Sequence, residues 1–271
     1  MERGNETFSP VLFLPHGAGP MPLLGDKNHK SLIAFLKGIS STIHKPSAIL
    51  VISAHWEEPQ STITSGDQQK LIYDYSGFPA AAYKIKYDAV GNSELSEKIY
   101  QLIEKDNIQV KLNPHRGFDH GLYVPLKLMY PQAEIPCLQL SLLKSLNPSE
   151  HIALGKSLAS LRQQNVLIIG SGLSFHNLGL FFRPESDSAK KSISFDRWLV
   201  DTCTNSTLTK LEKERRLNHW TEAPYARHCH PREEHLLPLH VCFGAASVAT
   251  PNAKVIYNQD FMGARTTALQ W

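Results

Sequence analysis

The sequence predicts an α/β fold: one domain over residues 1–271, with a mostly parallel central sheet flanked by helices and a metal site at the C-terminal strand ends. Two observations carry this. Short apolar runs suited to buried strands alternate with longer segments of helical period, the pattern that places a parallel sheet between layers of helices. Three histidines then close such runs: His16 after VLFLP, His55 after AILVISA and His176 after VLIIGSGLSF. Open parallel sheets bind ligands at that edge, so three imidazoles are delivered to one crevice.

Val11–Pro15 reads as the first strand, followed by the Gly/Pro-rich loop HGAGPMPLLG. A helix is expected over Lys30–Ile43, with Leu32, Ile33, Phe35, Leu36, Ile39 and Ile43 on one broad face. Pro46 leads into the strand Ala48–Ser53, and a second helix fits Ser93–Lys105. Pro136 opens the strand CLQLSL, Pro148 opens a helix through Arg162, and the strand Val166–Ile169 follows. Glu185–Ser194 is the most polar stretch and reads as a surface loop running into a helix. Glu233–Val248 has helical period but carries Pro238, which predicts a kink or a late start.

Composition narrows the function. A chain of 271 residues can bury a substantial core, and 42% hydrophobic with 20% charged residues is ordinary for a globular protein. A net charge of +3 without a basic block argues against a nucleic-acid surface. The apolar runs fall far short of the roughly 20 residues of a membrane span. The polar start MERGNETF lacks the apolar core of a secretory signal. Cys137, Cys203, Cys229 and Cys242 form no CxxC motif, so reduced thiols and a cytoplasmic protein are expected. No GxGxxG, P-loop or GxSxG motif is present, which removes the usual nucleotide and serine-hydrolase readings.

Thirteen histidines cannot all be functional. His120 lies in RGFDHGLYVPL, where Asp119 could orient its ring or the ring's neighbours, whereas His115 reads as a loop residue. In ARHCHPREEHLLPLH the favoured ligand is His235, at the start of the last helix. His228, Cys229 and His230 look like a metal clip but lack a second pair at zinc-finger spacing. His240 falls off the face of His235 and is expected to be packed. Small residues Gly170, Ser171 and Gly172 would let a ligand approach the strand end before His176. Imidazoles so gathered suit zinc, iron, copper or nickel.

In order along the chain, HGAGP, SAHWE, FDHGLYVPLKLMYP, IPCLQLSL, GSGLSFHNL and PREEHLLPLHVCFGAA resemble the motifs of the DOPA-dioxygenase-type (class III) extradiol ring-cleavage dioxygenases. The resemblance runs from Leu12 to Ala246 and is weakest between Leu180 and Tyr225. It implies metal ligands at His16, His55 and His235. His176 becomes an acid/base group or a further ligand, and His120 lines the substrate pocket. The first motif reads PHGAGP where many relatives have GHGSP, so that serine is missing here.

The implied partners are a small aromatic diol and O2, with no nucleic acid or membrane, and the implied cofactor is a divalent metal, Fe(2+) or Zn(2+). Non-haem iron oxygenases commonly use two histidines and a carboxylate, which Glu233 or Glu234 would supply if His235 were misplaced. Two other readings share the scaffold: a zinc-dependent hydrolase, and a non-enzymatic metal-binding or interaction protein. Arg116, Arg227 and Arg232 lie near the motifs, though none is clearly placed to clamp a substrate carboxylate.

Overall fold

The computed structural model describes residues 8–183, 185–247 and 249–271. The strands are β1 (Val11–Pro15), β2 (Ala48–Glu58), β3 (Ser61–Thr64), β4 (Val110–Asn113), β5 (Cys137–Leu143), β6 (Val166–Gly172), β7 (Lys254–Phe261) and β8 (Ala264–Gln270). They form one sheet in the order β4-β3-β5-β2-β6-β1-β8-β7. At its centre β5, β2, β6 and β1 pair in parallel. The flanks turn antiparallel where β3 meets β5 and β8 meets β1.

The helices are α1 (Lys30–Ile39), α2 (Ser93–Lys105), α3 (His120–Met129), α4 (Pro148–Ser157), α5 (Leu178–Phe182), α6 (Ser188–Thr204), α7 (Lys210–Asn218), α8 (Ala226–Cys229) and α9 (Leu237–Ala246). Alternation along each strand divides the core between two faces. Val11 and Phe13 join the cluster containing residues of α4, α6 and α9, while Leu12 and Leu14 join that containing α1 and α3. All four are fully buried, each worth about 1.5–3 kcal/mol in removed apolar surface.

The helix predicted over Ser93–Lys105 is found with those bounds, whereas the other predicted helices are shorter than their periodicity. The first ends at Ile39 and continues only as a 3-10 turn to Thr42. The helix from Pro148 likewise gives way to a 3-10 segment, Ala159–Gln164. The last starts at Leu237, with Pro238 in its first turn, where a missing N–H costs nothing. Val248, its predicted end, and the leading residues MERGNET lie outside the described residues. Among the described residues no helix is long and apolar enough to cross a membrane.

Two of the strands run further than predicted, and both differences matter to the site. β6 reaches Gly172 and β2 reaches Glu58, so His55 lies within its strand rather than beyond it. Ile52 pairs with Leu140 but Glu57 pairs with Leu142, so β2 carries extra residues around His55. Such bulges re-aim side chains beside active sites.

Candidate metal centre

His16 directly follows β1 and is almost wholly buried. Its loop is pinned by His29, whose Nε2 accepts the Ala18 N–H at 3.0 Å while its Nδ1 donates to Asp26 at 2.6 Å. The ring is oriented by a relay that begins with a proline. Pro125 sits inside α3 and has no N–H to give the carbonyl four residues earlier. That carbonyl, Gly121 O, accepts the Ser171 hydroxyl at 2.5 Å instead. With its proton committed, Ser171 Oγ can only accept from His16 Nδ1, 3.1 Å away. Nε2 of His16 is thereby left as the bare nitrogen, the one able to hold a metal.

His55 Nε2 lies 3.1 Å from His16 Nε2. His235 is brought to them by close contact between backbones. A Cβ on Gly172 would stand 2.2 Å from His235 O, and one on Gly170 would stand 2.6 Å from Pro238 O. These glycines therefore admit the chain leading into α9, rather than a ligand, and Leu173 N donates to His235 O at 3.0 Å.

The rings of His16, His55 and His235 form a nearly equilateral triangle, with centroid separations of 4.8, 5.3 and 4.9 Å. Three imidazoles on one tetrahedral ion, with nitrogen bonds of about 2.1 Å, would show centroids about 5 Å apart. Burial pushes the pKa of His16 and His55 well below 6.5 and that of His235 down to about 4. All three are thus held neutral, the form that binds a metal.

His120 and His176 complete the cluster from either side. His120 opens α3, its ring 3.9 Å from that of His55. Asp119 does not orient it. That buried carboxylate caps α3 through Gly121 N and accepts from Ser53, Arg116 and Gln139. The carboxylate at His120 is Asp74, which accepts its backbone N–H at 3.0 Å and lies 2.9 Å from Nδ1. The same oxygen is 3.9 Å from His55 Nδ1. His176 lies over His235, and Glu234 Oε1 reaches both, 3.2 Å from His176 Nδ1 and 2.9 Å from His235 Nδ1. Burial alone would raise the Glu234 pKa, but these contacts hold its carboxyl far below the usual range.

Ligand-capable atoms within 4.8 Å of one another fall into two groups, His16 with His55 and His120, and His176 with Glu234 and His235. They face a cavity of about 520 Å³ walled by Tyr75, Phe78, Leu178, Phe181 and Phe261. Trp56 is instead a core residue beneath Arg116. The other histidines stay apart: His115 is exposed, while His230 and His240 are buried against backbone carbonyls. Each of the three arginines noted in the sequence already has a carboxylate: Arg116 with Asp119, Arg227 with Glu233, and Arg232 with Glu57.

Sequence reasoning missed Asp74 and Tyr75. They come from an aperiodic loop, and the only signal was an acid between two aromatics in Tyr73–Asp74–Tyr75. It also missed the function of Ser171, which depends on a carbonyl fifty residues away.

An α/β sheet whose edge gathers neutral imidazoles beside an aromatic-walled cavity is the kind of site a metal-dependent enzyme of aromatic substrates uses. Residues 10–269 match the family model described as the catalytic LigB subunit of aromatic ring-opening dioxygenase, and the chain belongs to that family. It is an extradiol ring-cleavage dioxygenase. It is 40% identical over 257 residues to a 4,5-DOPA dioxygenase extradiol of Beta vulgaris, covering 93% of this chain and 91% of that one. Dioxygenase tasH of Hapsidospora irregularis is 37% identical over 254 residues, 88% of this chain and 78% of the relative. The crystal structure of an uncharacterized Escherichia coli K12 protein superposes with a TM-score of 0.74 at 28% identity, over 97% of this chain and 99% of that one.

Proposed function

We propose that this chain opens the ring of a catechol-type diol with O2, at a divalent metal held by His16, His55 and His235. The observation that carries this reading is the imidazole triangle, regular to within half an ångström. Substituting His120 for His235 gives a less even set, 4.8, 5.4 and 3.9 Å. A bound ferrous ion would supply open coordination positions at which the diol and O2 meet side by side.

The chain's own groups do the rest. His176 takes the proton that the diol loses on binding and returns one as the ring opens. His120, held by Asp74, hydrogen-bonds a substrate oxygen. Tyr75, Phe78 and Phe181 cover the ring faces and exclude water. The carbon–carbon bond beside the diol breaks, and both atoms of O2 enter a semialdehyde product.

Zinc suits three imidazoles equally well but has no redox chemistry, so zinc binds here without supporting turnover. Four free, buried cysteines support residence in the reducing cytoplasm. One sheet spanning residues 11–270 supports a single catalytic domain over the whole chain, residues 1–271.

The test is oxygen uptake by ferrous-loaded protein across a set of catechols that includes DOPA and protocatechuate. Consumption of one O2 per yellow ring-opened product is expected, and no uptake with zinc. Uptake with none of the catechols would overturn the reading. Zinc-supported activity in strict absence of oxygen would favour a hydrolase.

A further inference from the structure

We propose that Glu234 is a positioning residue that fixes the tautomers of two histidines of different function at once. It rests on the reading of His235 as ligand and His176 as proton carrier. One carboxylate oxygen, Oε1, lies 2.9 Å from His235 Nδ1 and 3.2 Å from His176 Nδ1. A carboxylate at neutral pH has no proton to give. The hydrogen bond to His235 Nδ1 and the charge 3.2 Å from His176 Nδ1 both favour a proton on Nδ1, so each neutral ring keeps Nε2 as the nitrogen free of hydrogen.

For His235 that is the nitrogen needed by a metal. For His176 it is the nitrogen able to take a proton from the diol. The near-parallel stacking of the two rings makes the shared oxygen possible, because it puts both Nδ1 atoms on the same side.

The second oxygen of Glu234 is held as well. Arg232 Nη1 lies 3.4 Å from Oε2, and the same guanidinium grips Glu57 through two contacts of 2.5 and 2.6 Å. Glu57 belongs to β2, the strand that carries His55. The chain Glu57–Arg232–Glu234 thus ties the segment before α9 to the strand of another ligand. Arg232 is half-exposed while Glu234 is largely buried, so solvent reaches the outer link of this chain more readily than the inner one.

The test reads the tautomers directly, in metal-free protein, and so does not depend on turnover. Nitrogen-15 NMR of histidine-labelled protein at neutral pH is expected to show His176 and His235 as Nδ1–H tautomers. In Glu234→Ala both should shift toward Nε2–H, and ferrous affinity, measured by chelator competition, should fall roughly 10- to 100-fold. Arg232→Met removes only the outer link, and should keep the tautomers with a smaller loss of affinity. Nε2–H tautomers in the native protein would overturn the proposal, whatever the variants do. So would unchanged tautomers in a folded Glu234→Ala. Normal tautomers with no oxygen uptake would instead fault the proposed function and leave the role of Glu234 intact.

Discussion

His176 stacks on His235, with ring centroids 3.3 Å apart and planes inclined by 18°. One residue follows β6 across a short loop and the other precedes α9, so the contact joins elements distant in sequence. It places the His176 imidazole against the face of the His235 ring.

Removing the stacked ring separates the two functions. His176→Ala is expected to keep its metal and lose about 10²- to 10⁴-fold in kcat, the usual span for a general acid/base. Metal analysis beside oxygen-uptake kinetics checks this. Full metal with unchanged kcat would rule His176 out as proton carrier.

Ser171→Ala tests the relay that starts at Pro125. Without the hydroxyl, His16 Nδ1 loses its acceptor and Gly121 O loses its donor. Ferrous affinity should drop about 10- to 100-fold, measured by chelator competition under anaerobic conditions. Native affinity would show that the serine does not set the His16 ring.

Asp74→Asn keeps the backbone contact at His120 but removes the charge facing its ring. A close charge pair is worth about 1.5 kcal/mol or more, so kcat/KM should fall roughly 10-fold or more. Metal content should not change. Lost metal with preserved kcat/KM per metal would place Asp74 behind His55 instead.

Acid should unfold the metal-free protein through histidines outside the site. Burial lowers the pKa of His151 to about 4 and that of His230 to about 3, from 6.5. His151 is locked neutral, since its Nε2 accepts from Leu143 N while its Nδ1 donates to Asn147 O. Below pH 6.5 the unfolded chain binds protons that the fold refuses, so stability falls as pH falls. Each such residue costs about 1.4 kcal/mol per pH unit until its folded pKa is reached. Calorimetry at pH 7 and pH 5 should show a lower Tm at pH 5, and an equal or higher Tm would contradict this.

The sequence was most legible where one physical cause dominates. Continuous apolar runs such as VLFLP and AILVIS can only be buried strands or helices, and their terminal histidines followed from the direction of the chain. The flanking strands left weaker traces. β7 and β8 turn at Met262–Gly263, both with positive φ, a turn that Asn-Gly would have announced and Met-Gly does not. α3 was hidden by Pro125, the residue whose missing N–H then serves the site. His235 could be picked out as a candidate ligand, but its contacts with Glu234 and, through it, Arg232 could not, because they depend on three-dimensional packing. Asp119 was misjudged for the same reason. Adjacent to His120 in sequence, it points away to cap the helix and pair with Arg116.

His120 is the residue that competes with His235 for the third corner of the imidazole triangle. The most direct measurement is ferrous content after anaerobic reconstitution of His235→Ala and His120→Ala, with folding checked by circular dichroism. His235→Ala is expected to bind far less than one equivalent while His120→Ala retains a full equivalent. A metal-free His120→Ala beside a fully loaded His235→Ala would contradict this.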